Sequence, residues 1–410
     1  MASDVVYNNN PDQEDWLANF RVDFNISNSD NIQQLSPREI TMVESLLTPG
    51  IQTSIMFDSF LHNPVKNYDD FKSTVVNVII RKPNLKRWGL NDTMKFDAVI
   101  YRLQDRKLIN NNNETLVFQA CHPTLLEDAR RLISKPWGCT TPSQIVREVL
   151  GSCAGAQSMD IEDSSPPRDY SAQNIHPFKV VADQADVALA NGTDPSFIHY
   201  MTYKDNGTHH FRSLYSLAKQ APVFDFQFGE IGNNLDFESS YRNPHTALTY
   251  SFPCDYDLLS DLLNGIDLDG SFIGTGIFQN PRNSLSSAFN FIPGACSIGT
   301  TLKLAMTNTN TAEDQLACGT DTENHLLVRQ ARMNLLERDK IALRLTVPWN
   351  PNLHAGDVIT FRVMSKEVED TPLYGSGDYL IHSMTHVIKA GGYSVTNLDC
   401  VSTTVGKGIV

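Results

Sequence analysis

Ile51-Gln52-Thr53-Ser54-Ile55-Met56-Phe57-Asp58 alternates without a break: Ile51, Thr53, Ile55 and Phe57 fall on one side of an extended chain, and Gln52, Ser54, Met56 and Asp58 on the other. Successive side chains of a strand point to opposite faces, so the stretch predicts a half-buried β-strand. The same pattern recurs on either side, at Val76, Val78 and Ile80, at Phe96, Ala98 and Ile100, and from Thr115 to Gln119. Turn residues such as Asn91-Asp92 and Asn110 to Asn113 lie between these runs. Short strands with polar turns predict a closed or nearly closed antiparallel barrel over residues 1–120.

The period changes at Pro123. Thr124 and Glu127 form a capping-box signature, and Leu126, Ala129, Leu132 and Ile133 line one face at helical spacing until Pro136 and Gly138. A second helix is predicted with Thr141 as N-cap, Pro142 in its first turn, Gln144 completing the box, Ile145, Val149 and Leu150 inward, and Gly151 at its end. Ala154 to Asn174, with Asp160, Glu162, Asp163 and Pro166-Pro167, predicts a mobile connection. After His176-Pro177 a third helix buries Phe178, Val181, Ala185 and Ala188. A hairpin of Phe197 to Tyr203 and His209 to Arg212 then turns at Asn206-Gly207. Residues 121–221 are thus an α/β insertion.

Strand character returns at Pro222, with Phe224, Phe226 and Phe228 opposite Asp225 and Gln227, so a second barrel is expected to begin over residues 222–250. A smaller mixed insertion spans 251–338, with a polar stretch from Thr307 to Asp321 and a helix from Glu323 to Glu337. Residues 339–410 then complete the barrel. Ile341, Leu343, Leu345 and Val347 face one way there, and Val358 to Val363, Tyr379 to Ile388 and Tyr393 to Cys400 extend the sheet. The fold class predicted is mainly β (α+β), two antiparallel barrel-like domains with an α/β insertion between them.

Composition narrows the function. A formal charge of -14 across 410 residues disfavours wrapping nucleic acid, because phosphate contacts need clustered Lys and Arg. The densest basic run, Arg81, Lys82, Lys86 and Arg87 beside Trp88, reads as a solvated loop between strands. No stretch approaches the ~20 apolar residues of a membrane span, and the start from Met1 to Asp15 is polar and acidic rather than a signal peptide. Seven cysteines, Cys121, Cys139, Cys153, Cys254, Cys296, Cys318 and Cys400, are odd in number and contain no CxxC pair, which predicts reduced thiols.

Motifs for chemistry fail on context. Gly151-Ser152-Cys153-Ala154-Gly155 imitates a nucleophile elbow, but an elbow needs a strand running in, and a helix is predicted there. His209-His210 with His199 could approach a metal across the hairpin, yet adjacent histidines in a strand face opposite ways and no carboxylate or thiol completes a set. Asp267-Leu268-Asp269-Gly270 lacks the later glutamate of a calcium loop, and Gly274-Thr275-Gly276 is too short for a dinucleotide fingerprint. No catalytic, cofactor-binding or metal-binding residue is assigned, and the reading is of a non-enzyme. The rival readings are a particle-associated cell-wall hydrolase and a trimeric receptor-binding or carbohydrate-binding tail module.

Four passages carry a resemblance. They are Glu44 to Ile55; His176-Pro177-Phe178 through Ser196-Phe197-Ile198 to His210-Phe211-Arg212-Ser213-Leu214; Gly265, Asp267, Gly270 and Ser271 followed by Arg329, Arg332, Leu335 and Leu336; and Val347-Pro348 through Ala355-Gly356-Asp357-Val358-Ile359 to His386-Val387-Ile388. In that order they resemble the baseplate hub of contractile-tailed phages, which is similar to the base of type VI secretion spikes. The resemblance implies a homotrimer, since a duplicated barrel lets three chains imitate a sixfold ring. It implies a tail-tube or tube-initiator protein on one face, a central spike on the other, and wedge proteins around it. DNA would pass through the ring without specific binding, in a virion tail assembled in the host cytoplasm. The ten residues after Cys400 leave no room for a needle or lysozyme domain, so the piercing tip is expected to be a separate protein.

Overall fold

The computed structural model describes residues 4–7, 15–25, 35–60, 71–110, 113–191, 194–228, 237–253, 343–363 and 375–402. Seven strands come first: β1 Asp4–Tyr7, β2 Asn19–Phe24, β3 Leu35–Ser45, β4 Gln52–Phe60, β5 Val75–Arg81, β6 Thr93–Asn110 and β7 Asn113–Cys121. The insertion holds α1 Pro123–Arg130, β8 Ile133–Thr140, α2 Pro142–Glu148, a π turn Val149–Ala154, β9 Ser158–Ile161, β10 Arg168–Ile175, α3 Pro177–Val187, β11 Phe197–Thr202, β12 Thr208–Ser213 and α4 Leu214–Ala218. The remainder comprises β13 Phe224–Phe228, α5 Phe237–Arg242, β14 Thr249–Ser251, β15 Leu343–Pro348, β16 Val358–Val363, β17 Gly377–Lys389 and β18 Val395–Ser402.

The protein is mainly β, and one large sheet dominates it. Its strands run β1-β2-β5-β6-β7-β4-β3-β17-β18-β15-β14, with β16 joining β17 and carrying β13. All these pairings are antiparallel except β13 with β16. The expected separate barrels differ from this arrangement in one respect: β3 pairs with β17 from Ser45↔Ser383 to Glu39↔Lys389, so the two β units share a sheet, and no ring of strands closes among the described residues. β3 has two hydrogen-bonding edges, and it uses one for β4 and the other for β17.

The alternation that opened the sequence is seen in burial. Ile51, just before β4, and Thr53, Ile55 and Phe57 on it are buried, and Val76, Val78, Ile80, Phe96, Ala98, Ile100, Leu116 and Phe118 meet them in one apolar core. A second core gathers Phe224, Phe226, Leu343, Leu345, Val347, Ile359 and Phe361, and the insertion has its own around Ile145, Val149, Phe178, Val181 and Phe197. Residues 254–342 lie outside the described residues, and with them the expected helix Glu323 to Glu337, the Thr307 to Asp321 stretch, Ile341, and the Asp267 and Gly274 motifs.

The second predicted helix forms as expected at its start. Thr141 and Gln144 make both halves of the capping box, and Ile145 is fully buried. It ends later than Gly151, because the π turn carries the chain to Gly155, whose φ of 72° closes it. The first helix is shorter than predicted. His122, not Thr124, is its N-cap, and the chain is extended again by Arg131. Ile133 belongs to β8, and Leu132 is exposed.

The predicted mobile connection is also corrected, for the same reason. Its Arg168–Ile175 portion is β10, the partner of β8, and its Ser158–Ile161 portion is β9, which pairs in parallel with β12. Each strand exists because of a partner distant in sequence, which local composition does not report. The acidic residues there are engaged: Asp160 accepts from His210 (3.1 Å), and Glu162 accepts from Ser213 N (2.8 Å) and Ser216 Oγ (2.6 Å).

Two further expectations change. The basic run lies between strands with Arg81, Lys86, Arg87 and Trp88 exposed, as expected, but it is ordered and Lys82 departs from the reading. Pro83–Trp88 is a 3-10 turn, Arg81 and Lys86 pair with Asp92, Arg87 pairs with Asp15, and Lys82 is buried. Cys121, Cys153 and Cys400 are free thiols, but the exposed Cys139 is disulfide-bonded, against the expectation of reduced thiols. No helix among the described residues is long and apolar enough to cross a membrane.

Candidate functional site

The position where the polypeptide's segments meet is built on one buried carboxylate. On β3, inward positions run Ile40, Met42 and Glu44, so a glutamate occupies the phase of the core. Buried ions must be compensated by hydrogen bonds and opposite charge. Glu44 Oε1 accepts from the backbone N–H of Tyr203 at the end of the insertion hairpin (2.7 Å) and from His354 Nδ1 (3.2 Å). Oε2 accepts from the N–H of Ala355 in the second β unit (2.7 Å). One side chain thereby joins the first β unit, the insertion and the second β unit.

The electrostatics follow. Burial pushes the Glu44 carboxyl upward, but the charge and hydrogen bond of His354, the proximity of His386 and the Tyr203 N–H outweigh it and hold the group below its ordinary value. Burial drags His354 down, and the Glu44 charge more than reverses it, so its pKa is raised. Asp357, which accepts from the His354 N–H (2.9 Å), is raised, chiefly by burial. Each charge thus favours the other, the Glu44 carboxylate a His354 imidazolium and the imidazolium the carboxylate.

Supporting contacts tie the same three segments. Tyr203 Oη donates to Gln52 O (2.8 Å) and receives Thr53 Oγ1 (2.9 Å), while its ring meets Phe96 edge-on. Lys82 reaches the carbonyl of Trp349 (3.4 Å) across the face of Tyr241, whose hydroxyl donates to Ser394 O (2.5 Å). Asn352 and Asn91 bond reciprocally: Asn91 N–H donates to Asn352 Oδ1 (3.1 Å), and Asn352 Nδ2 donates to Asn91 O (2.9 Å). A cleft of about 610 Å³ opens beside the junction, lined among others by Lys95, Lys204, Asn206, Asn352, His354 and Asp357.

Gly356 shows how tightly the junction closes. Its φ is +90°, and a Cβ there would lie 2.4 Å from Tyr200 Oη, with Tyr200 itself buried and stacked on His210. We expect Gly356→Ala to cost about 2–4 kcal/mol, from left-handed strain and overpacking together. Thermal unfolding of Gly356→Ala against the double variant Gly356→Ala/Tyr200→Phe checks this: the double variant should recover part of the loss, and equal stabilities would refute the clash.

The candidates weighed from the sequence are dispersed. Cys153 lies in the π turn with a helix running into it, packed against the insertion core. His199 Nε2 meets His209 Nδ1 (3.1 Å), whereas His210 faces the other way to Thr202 and Asp160. Among the described residues no cluster of His, Cys, Asp or Glu is arranged to hold a metal ion. Sequence reasoning gave no site role to Glu44, His354, Asp357 or Lys82. The signal for Glu44 was present: a charge in phase with Ile40 and Met42.

No protein-family model and no curated protein sequence matches the chain. Among solved structures it is similar to a tail protein from Neisseria meningitidis MC58, with a TM-score of 0.50 and 8% identity over 93% of this chain and 96% of that one. It is also similar to the 43 kDa tail protein of prophage MuSo2 from Shewanella oneidensis (TM-score 0.49, 9% identity, 89% and 93% covered). A third similar structure is the E. coli c3393 protein, a component of the type VI secretion system (TM-score 0.47, 9% identity, 93% and 77% covered). The likeness to the Neisseria protein is one of fold over nearly the whole of both chains, and it agrees with the resemblance read from the sequence.

Proposed function

We propose that this chain is the structural hub of a phage tail baseplate: three copies form a collar that joins a sixfold tail tube to a threefold spike and leaves a channel for DNA. The observation that carries the reading is the build of the chain. Two strand-rich units are continuous through β3 and β17, and Glu44 clamps the insertion to both, as a part that transmits force between neighbours without deforming requires. The fold shared with a tail protein supports it. The domains are two tube units, 1–120 and 222–250 with 339–410, an insertion 121–221 between them, and a smaller insertion 251–338. The role is non-catalytic, and the partners are a tube protein, a spike protein and wedge proteins. The charge of -14 suits a bore along which phosphates slide without being gripped.

Native mass spectrometry tests the reading. A chain of 45.8 kDa should appear at three times that mass, alone or on mixing with the tube and spike proteins of its own tail. A protein that stays monomeric in every mixture would overturn it.

A further inference from the structure

The long strand β6 changes partners at its middle. Its first half pairs with β5, from Arg81↔Thr93 to Val75↔Val99. Contact on that side ends at Ile100, whose N–H donates to Thr74 O (3.0 Å) and whose carbonyl accepts the Ser73 N–H (2.9 Å). From Val99↔Cys121 to Asn110↔Asn113 the other edge pairs with β7. Residues 101–109 therefore have a neighbouring strand on one edge only among the described residues. An open edge of this kind is a row of backbone N–H and C=O groups on which a further strand can pair.

The side chains of this edge are as open as its backbone. Every described one is exposed except Leu103, which packs against the first apolar core, and the large apolar groups Tyr101 and Ile109 stand at its two ends, 42% and 53% exposed. Proteins blunt open edges against indiscriminate pairing with charges and bulges. Both are present here, as three register shifts against β7 and as Arg102, Asp105, Arg106 and Lys107. Arg106 is paired with Glu114, whereas Arg102, Asp105 and Lys107 make no ion pair among the described residues. Three cations to one anion, on a chain of formal charge -14, select the partner. Two such edges repel each other, which disfavours a symmetric pairing of β6 with β6, while the acidic remainder of a second copy attracts the edge. The contact that results is between unlike surfaces, and repeated by a rotation it closes a ring.

We propose that residues 101–109 of β6 are the docking edge on which a second copy of this chain lays a strand, head to tail. The inference rests on the reading of the chain as a threefold collar, and it names the surface by which one copy joins the next.

Amide hydrogen exchange on the full chain tests this, comparing the dilute monomer with the trimer formed alone or with the tube and spike proteins of its own tail. In the trimer, those amides of 101–109 that exchange fast in the monomer should slow by about tenfold or more, while 115–119 of β7, already paired on both edges, stay as they were. Arg102→Glu/Lys107→Glu reverses two exposed charges that hold no ion pair among the described residues, so it should keep the wild-type circular dichroism and assemble about tenfold more weakly. A trimer whose 101–109 amides exchange as in the monomer, or one that the double reversal leaves equally tight, would overturn this inference and leave the collar standing. A chain that stays monomeric in every mixture would overturn both.

Discussion

Glu44→Ala should destabilise the protein by about 3–5 kcal/mol, more than any other single truncation on β3, because the buried N–H groups of Tyr203 and Ala355 lose their acceptor and His354 loses its counter-charge. His354 would then revert to the neutral form that burial favours, so the loss falls mostly on the two N–H groups. Glu44→Gln separates these effects. Its carboxamide oxygen satisfies one N–H, while its NH2 group confronts another donor, so it should lie between wild type and alanine. Denaturant unfolding read by far-UV circular dichroism measures the midpoint shift, and limited proteolysis around residues 203–207 and 354–357 reports whether the segments part locally. An alanine variant with the wild-type midpoint would show that Glu44 does not hold the junction.

The strands of both β units were legible in the sequence because half-burial writes itself as alternation. Ile51 to Asp58, Phe224 to Phe228 and Leu343 to Val347 are each one apolar face and one wet face. The Asn206-Gly207 turn and the Thr141 cap were legible because they are local chemistry. What failed was non-local. β8 and β10 have little apolar pattern and form because they pair with each other, from Arg168↔Thr140 to Ile175↔Ile133, so one read as a helix end and the other as a linker. The joining of the two units through β3 and β17 was equally invisible, since register between strands more than 300 residues apart leaves no local trace.

The candidate junction was hidden for a related reason. Glu44, Tyr203, His354 and Lys82 are ordinary residue types in ordinary strings, and only the fold brings them together. The elbow-like string at Cys153 and the paired histidines at 209 and 210 attracted attention because motif reasoning looks along the chain. A charge in the apolar phase of a strand is the better guide, because it costs too much to be buried without partners. By that standard Glu44 on β3 and Lys82, which directly follows β5, are the informative positions.

Those buried groups set how the whole protein responds to pH. Burial lowers His386 to about 4 and His199 to about 3, and it lowers His209 and His122 as well. It brings Lys82 to about 7. A basic group with a lowered folded pKa binds fewer protons folded than unfolded, so its penalty grows as pH falls from the unfolded value toward the folded one. For Lys82 that window runs from 10.5 down to about 7, and for His386 from 6.5 down to about 4. His354 has the opposite sign: its contribution is complete below 6.5 and is lost as pH rises through its raised pKa. Glu44 contributes above 4.5 and loses that as pH falls through its lowered pKa. Below pH 6.5, therefore, the four lowered histidines act in the same direction and His354 does not change. Each full proton of difference is worth about 1.4 kcal/mol per pH unit, and an unfolded histidine is about three quarters protonated on average over the first unit below 6.5, so roughly two to four such histidines remove about 2–4 kcal/mol there. That is a large part of an ordinary folding free energy. At the alkaline end Cys121, pushed up to about 11 by burial, and the raised tyrosines 200, 203 and 241 ionise more readily unfolded, which places the stability maximum near neutral to mildly alkaline pH. Guanidinium midpoints measured from pH 5 to 9 should stay high above 7 and fall steeply below 6.5, and His386→Asn should shed close to one proton of that slope. A midpoint that is the same at pH 5 and pH 7 would mean that these imidazoles are not held neutral in the folded protein.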